Sequence, residues 1–598
     1  MPRSANSGHV SNIHEASLPR RLHVYTARQL DEIRQLDRLP EATRFAIQVV
    51  ASVLPFRVNE YVIEELIDWD RIPDDPMFRL TFPQQAMLES EDFSRMADLH
   101  RRGADSAQIR ALAQKLRQGL NPHPGDQLDL NVPTQYGQTL NGIQHKYRET
   151  VLFFPNQGQT CHTYCSFCFR WAQFVGNKDL KIAAGEAAVL HRYLRTHQQV
   201  TDLLVTGGDP MVMKTSNLTP YLVPLLNRDF DHIQTLRIGT KALSFWPYRF
   251  VGNEDADALL RFLEQLVEGG KHVAIMAHYN HPKELSTDIA REAIRRLRDT
   301  GVEIRSQGPL LRHINDDFRT WRDLWKAQVA AGIVPYYMFV ARDTGARHYF
   351  DVPLSRAWRI YREAMQRVSG LGRTARGPSM SAGPGKVEVQ GVTEVLGEKV
   401  FVLRFIQARN ADWVQHPFFA KFDSEARWLD QLQPAFGENR FFFEEEYEAM
   451  KEHRISTIDN RGIQCTLLAQ AGSDDRPGCQ RRQHPERRCQ AERAGARRAD
   501  RCKAAGQAPI IFGLALLFVY LFVGGPVREL VHPAGGAFGS AGSRFRCTPG
   551  QGWHRAGCKF CSASFRSWSP PAPVPAPVSR WVLPSLVACW PRPSSASC

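Results

Sequence analysis

The first 460 residues contain only three cysteines, although the whole chain of 598 residues holds twelve. A large domain with three thiols in eight positions, Cys161, Cys165 and Cys168, is not a secreted disulfide framework, and the expectation is a reducing, cytoplasmic compartment. The same stretch has no excess of one charge. Of the formal +14, a net +13 belongs to residues 461–598, where 19 Lys and Arg stand against 6 Asp and Glu. No basic field in the main body argues for nucleic acid. The opening MPRSANSGHVSNIHEASLPRRLHVY lacks the apolar stretch of a secretory signal. Long apolar runs are missing too, except for residues 510–527, which reach the lower edge for a membrane span but include Gly513, Gly524, Gly525 and Pro526. No membrane partner is expected. What remains is ordinary globular composition, 43% hydrophobic and 23% charged, which excludes wholesale disorder.

Apolar residues at helical spacing in ATRFAIQVVASVL and SAQIRALAQKLRQGL predict a helical N-terminal region over 27–145, after a flexible start at 1–26. From Thr150 the pattern changes to short apolar runs: TVLFF (150–154), DLLV (202–205), TLRI (235–238), HVAIM (272–276), VEIR (302–305) and VPYYMFV (334–340). Helix-length amphipathic stretches near 183–198, 217–228, 254–269, 284–300, 317–331 and 354–370 lie between and after them. Buried strands with helical crossovers imply an α/β fold with a parallel sheet. Six such units predict a partial (β/α)6 TIM-like barrel over 146–390, with ligand sites at the C-terminal ends of its strands. Residues 391–454 would complete the globular body. Residues 455–598 read as a low-order basic tail rich in Cys, Arg and Pro, in which Cys547, His554, Cys558 and Cys561 imitate a zinc knuckle only loosely.

Three motifs carry chemistry. The first is CHTYCSFC, in which Cys161, Cys165 and Cys168 follow the first predicted strand of the barrel. Three thiolates on one loop can hold three irons of a [4Fe–4S] cube and leave the fourth iron open. A structural zinc site is the alternative, but no fourth Cys or suitably spaced His follows in the body. The second motif is TGGDP, where Gly207 and Gly208 would let the backbone approach a ligand and Asp209 could receive an ammonium group. The third is GPSMSAGPGKVEV, a glycine-rich loop carrying Lys386. No Gly-Lys-Ser/Thr and no following helix accompany it, so it is not a nucleotide-binding P-loop.

The order C-x3-C-x2-C on the first β-to-α loop resembles the radical S-adenosylmethionine (SAM) superfamily. From about Leu54 to Phe419 the chain resembles the lysine 2,3-aminomutase family, through LPFRVNEYVIEELIDWDRIPDDP, HKYRETVLFF, CHTYCSFCFR, TGGDP, RIGTKAL, HYNHPKEL, GPLLRHINDD, PYYMFV and AGPGK. The resemblance implies an isomerase with three cofactors: a [4Fe–4S] cluster on Cys161, Cys165 and Cys168, SAM on its open iron, and pyridoxal 5′-phosphate in a Schiff base with Lys386. SAM cleavage would give the 5′-deoxyadenosyl radical that starts migration of an α-amino group to the β-carbon. Gly207, Gly208 and Asp209 match the motif beside the SAM amino group. Lys146 and Arg148 are candidates for the cofactor phosphate, and His278, Asn280 and His281 for the pocket wall.

Arg170 matches the arginine that pairs with the substrate carboxylate. Two aspartates that receive the distal ammonium of lysine in the family fall here on Arg342, next to Asp343, and on Ser381. An anion-binding arginine at that position favours an acidic or neutral amino acid such as glutamate, whereas a one-residue slip restores Asp343. Two other functions remain open: modification of a lysine on a protein partner, and a non-catalytic Fe–S protein. The expected partners are an amino-acid substrate, a reducing electron donor such as a flavodoxin or ferredoxin, and further copies of the chain in a homo-oligomer.

Overall fold

The computed structural model describes residues 20–121, 130–175 and 183–452. Residues 1–19, the apolar run 510–527 and the tail cysteines lie outside the described residues. Two short antiparallel pairs come first, β1 (Val24–Thr26) with β2 (Arg57–Asn59) and β3 (Thr134–Gln135) with β4 (Gln138–Thr139). One eleven-stranded sheet follows: β5 (Ile143–Tyr147), β6 (Thr150–Phe153), β7 (Asp202–Val205), β8 (Thr235–Thr240), β9 (His272–His278), β10 (Glu303–Leu310), β11 (Val334–Val340), β12 (Arg376–Ser381), β13 (Gly385–Val395), β14 (Glu398–Ala408) and β15 (Pro417–Lys421). Its strands lie side by side in chain order. Each strand from β6 to β11 pairs parallel with the next, while β5 and β13 to β15 are antiparallel to their neighbours.

The sheet has one covered face and one cavity-lining face, and β8 shows why. In TLRIGT the side chains of Leu236, Ile238 and Thr240 are buried, and they alternate with half-buried Thr235, Arg237 and Gly239. Successive strand residues point to opposite sides. Leu236 and Ile238 join Leu203 and Val205 of β7, Ile275 of β9 and Ile304 of β10 in a core with the crossover helices Ala187–Thr196, Thr215–Leu222, Ala256–Glu268, Asp288–Asp299, Phe318–Ala330 and Leu354–Met365. In Ala256–Glu268 the buried Leu259, Leu263 and Leu266 recur at helical spacing and face the sheet. Truncating such a leucine to alanine costs about 2–5 kcal/mol. Thr287 and Asp317 cap two of the helices by accepting from the backbone N–H of Ala290 and Arg319.

The N-terminal region contains the helices Glu41–Ala51, Pro76–Thr81, Ser90–Arg101 and Ser106–Gly119, together with the short strands that its helical pattern does not announce. Its core runs on into Trp171, Phe245, Trp246, Leu311, Ile314 and Phe350, all beyond the C-terminal ends of sheet strands. The region thereby covers that rim. A seventh parallel strand, β12, stands where the sequence reads only a glycine-rich loop, and residues 391–454 hold most of the antiparallel extension. Leu396 (φ 54°) and Gly397 (φ 79°) make the two-residue left-handed turn between β13 and β14. No helix among the described residues is long and apolar enough to cross a membrane.

Candidate active site

The uncovered faces of the parallel strands line a cavity of about 890 Å³, whose wall includes Leu204, Arg237, Met276 and Tyr337 from the strands. All three motif cysteines line it, as do Gly207, Gly208, Asp209, Arg170, Arg342, Ser381, Lys146 and Lys386. The structure thus brings together residues as far apart in sequence as Lys146 and Lys386.

The cysteine loop hangs on its neighbours by backbone bonds. Tyr164 N donates to Arg57 O (2.8 Å), Ser166 N to Leu80 O (2.8 Å), and Ser166 Oγ to Arg79 O (2.7 Å). Cys168 N closes a turn on Cys165 O at 3.1 Å. The three thiols are free and half-buried. Burial pushes all three thiols up in pKa; for Cys161, Asp209 and the two other sulfurs add to the rise.

The glycines of TGGDP, both on the cavity wall, also serve the fold. A Cβ on Gly207 would stand 2.6 Å from Gly158 O, and one on Gly208 2.4 Å from Thr160 O. Their close contact is with the chain's own cysteine loop, which Gly208 N and Asp209 N grip through Gly158 O (2.9 Å) and Thr160 O (2.7 Å). Asp209 is buried, and its carboxylate accepts from Met211 N (2.9 Å), Thr240 Oγ1 (2.7 Å) and Lys241 N (2.8 Å). The buried His162 Nδ1 stands 3.8 Å from the same carboxylate.

Directly after Cys168, the Phe169 ring has two guanidiniums near it, with Arg170 Cζ and Arg342 Cζ each 5.3 Å from its centroid. Arg170 also stands 4.3 Å over Phe154, and its buried Nη1 has no hydrogen-bond partner among the described residues. Burial pulls the Arg170 guanidinium down to about 10, against the pull of Cys168 and Cys161. Arg342 Nη1 donates to the carbonyl of Ser381, which joins the two positions singled out for substrate choice. Asp343 lines the same cavity.

Lys386 is the second residue of β13, directly across from Ser381 on β12, so the glycine-rich loop is a tight hairpin. Its Nζ is 3.2 Å from Gln407 Oε1 and 4.0 Å above the Tyr337 ring. Burial, with Arg237 and Arg376 adding to it, pushes the Lys386 amine down to about 7, while Asp202 acts the other way. The hairpin loop is braced on both sides, by Lys146 Nζ on Ala382 O and by Arg409 Nε on Gly383 O (2.9 Å).

Arg148 is a correction. It is exposed in the turn between β5 and β6, at the end of β6 away from the cysteine loop, and it does not line the cavity. His278 does line it, stacked 5.8 Å from Phe167. Asn280 and His281 instead serve the local fold, since Asn280 N and His281 N donate to Glu284 and His281 Nδ1 caps the following turn at Lys283 N.

Four participants escaped the sequence reading: the Arg237–Asp202 pair, Arg376, Arg409, and Lys241 with its buried partner Glu284 at 2.6 Å. Arg237 had a signal, because a charged residue in the middle of the apolar run TLRI must face either solvent or a site.

No family model matches the chain. Sequence comparison finds an Aquifex aeolicus protein provisionally named L-lysine 2,3-aminomutase, 30% identical over 402 residues, which cover 67% of this chain and 93% of that protein. The L-lysine 2,3-aminomutase of Escherichia coli is 30% identical over 233 residues, 38% of this chain and 63% of that enzyme. That of Bacillus subtilis is 24% identical over 367 residues, 61% and 67% of the two chains. Among solved structures, Streptococcus suis SuiB bound to S-adenosylmethionine is similar over 48% of this chain and 61% of its own, at 13% identity and a TM-score of 0.28, too low to argue from.

Proposed function

Since the chain belongs to the lysine 2,3-aminomutase family, we propose that it is an isomerase that moves the α-amino group of an acidic or neutral amino acid, glutamate above all, to the β-carbon. The observation that carries this reading is one cavity holding the three-thiol loop, the Lys386 amine and two adjacent guanidiniums. The sheet is the partial radical SAM barrel in this reading, with β6 to β12 as its parallel part.

Cys161, Cys165 and Cys168 hold a [4Fe–4S] cluster. Three free thiols on one loop of the cavity suit three irons of such a cube and leave the fourth open. The Asp209 carboxylate, on the wall of the same cavity, suits the ammonium of SAM. Lys386 fits pyridoxal phosphate because its amine, half-buried on the cavity wall, has no carboxylate ion-pair partner among the described residues and already tends to the neutral form. Lys146, beside the same hairpin, supplies a cation for the phosphate.

When bound, the reduced cluster with SAM supplies a radical that takes hydrogen from the substrate β-carbon, and pyridoxal phosphate supplies the π-system that carries the migrating nitrogen. The chain's residues supply position and electrostatics. Arg170 presents an N–H without a protein partner to the substrate α-carboxylate, and a charge-assisted hydrogen bond there contributes about 1.5–3 kcal/mol. Arg342, near the same Phe169 ring, favours a second carboxylate and disfavours a distal ammonium. An external reductant of the flavodoxin or ferredoxin class delivers the electron.

The test is anaerobic purification with iron, sulfide and pyridoxal phosphate analysis, followed by incubation with SAM, dithionite and a panel of amino acids. A β-amino product from glutamate is expected in excess over that from lysine. Robust turnover of lysine overturns the substrate assignment. A cluster without SAM cleavage overturns the aminomutase reading itself.

A further inference from the structure

Around Lys386 stands a charge arrangement, partly on the cavity wall and partly behind it, whose other members have no role above. Asp202 on β7 holds Arg237 of β8 through two hydrogen bonds, from Nε at 2.8 Å and from Nη2. The Tyr337 ring on β11 is shared by two cations, with Lys386 Nζ at 4.0 Å and Arg376 Cζ at 4.5 Å from its centroid. Phe339 lies 5.5 Å from the same Nζ, and Gln407 of β14 is its hydrogen-bond partner at 3.2 Å. On its own strand the nearest acid is Glu388, which is engaged by Arg404 and by Gly377 N. The lysine therefore shares the Tyr337 ring with the Arg376 guanidinium and the cavity wall with Arg237, whose carboxylate partner Asp202 is already committed to it.

We propose that Arg237, locked by Asp202, and Arg376 are positioning residues that keep Lys386 Nζ as a free amine before any cofactor arrives, so that it can condense with a carbonyl at neutral pH without a separate base. In that condensation the nitrogen lone pair attacks the carbonyl carbon, a C=N bond replaces C=O, and the two amine protons leave with the oxygen as water. No electrons are exchanged with an outside reagent. The proposal rests on the reading that Lys386 is the carbonyl-binding lysine. Its electrostatic basis is that a neighbouring cation disfavours the ammonium form, and burial removes the water that would otherwise stabilise it.

The full chain, purified without added pyridoxal phosphate, is labelled competitively with acetic anhydride across a pH series, and acetylation of Lys386 is measured by peptide mass spectrometry. The expected half-maximal reactivity falls near the pKa of about 7 given by its surroundings, against about 10.4 for an ordinary lysine. Arg237→Gln removes a cation and leaves Asp202 unpaired, so reactivity at neutral pH should fall about tenfold. Asp202→Asn acts in the opposite direction and should lower the midpoint. Arg376→Gln, which leaves the Arg237–Asp202 pair intact, should weaken reactivity as well and replaces Arg237→Gln if that variant does not fold. An ordinary midpoint in the unaltered chain, or midpoints that ignore these substitutions, overturns the proposal. Uptake of pyridoxal phosphate is followed separately by visible absorbance: a low midpoint without uptake overturns the cofactor reading alone, and uptake with an ordinary midpoint overturns this inference alone.

Discussion

Replacing Gly208 by alanine tests whether TGGDP is a clamp on the cysteine loop. The backbone at Gly208 is not left-handed, so alanine adds no torsional strain and its effect is steric. The new methyl would stand 2.4 Å from Thr160 O, 2.7 Å from Thr160 C and 2.8 Å from Gln159 C, all backbone atoms that cannot swing away like a side-chain tip. Relief to an ordinary contact moves the start of the cysteine loop by about 1 Å, and overpacking of this kind costs about 1–3 kcal/mol. The same movement stretches Gly208 N to Gly158 O and Asp209 N to Thr160 O, each worth about 1 kcal/mol. Cys161 is the next residue, so the strain arrives at the first thiol. After anaerobic reconstitution, iron and sulfide content should fall severalfold while far-ultraviolet circular dichroism keeps the signature of the α/β body. Gly391→Ala is the control, since a Cβ there meets no atom within 4 Å. A full iron complement in Gly208→Ala would refute the clamp.

Alanine at Cys161, Cys165 or Cys168 should each remove the reducible cluster signal in electron paramagnetic resonance together with SAM cleavage; loss of zinc instead would return the site to a structural metal. Lys386→Ala should abolish the visible absorbance of protein-bound pyridoxal phosphate and leave iron content unchanged, because hairpin and cysteine loop are separate elements of one cavity. Arg342→Asp combined with Ser381→Asp should shift the ratio of kcat/KM from glutamate toward lysine, read from β-amino products by mass spectrometry; an unchanged ratio would mean that this wall does not select the substrate.

Much of the architecture was legible because the signals were local. Each run from TVLFF to VPYYMFV falls on one of the strands β6 to β11, although VEIR marks only the start of β10, which runs on through Leu310. β12 was not legible because Gly377 and Pro378 interrupt it. Gly377 has a φ of 151° and packs so closely on Met338 O that a Cβ would lie 2.3 Å away, a fit set by the neighbouring strand. The cysteine spacing singled out its loop, but the partners of Gly207 and Gly208 depend on where β7 ends relative to β6. Lys146 and Arg148 looked equivalent two positions apart, and only the turn between β5 and β6 separates the one on the cavity wall from the one in solvent. Arg237 and Asp202, 35 residues apart, meet because parallel pairing puts β7 beside β8.

The carbonyls of Arg57, Arg79 and Leu80, on which the cysteine loop hangs, leave the ribosome before the loop does. The holder of the loop is therefore made before the loop itself, and iron delivery has a platform as soon as the residues around Cys168 emerge. It also ties iron binding to a distant segment: loosening of the helices between Glu41 and Gly119 should be felt at the cysteine loop as metal loss.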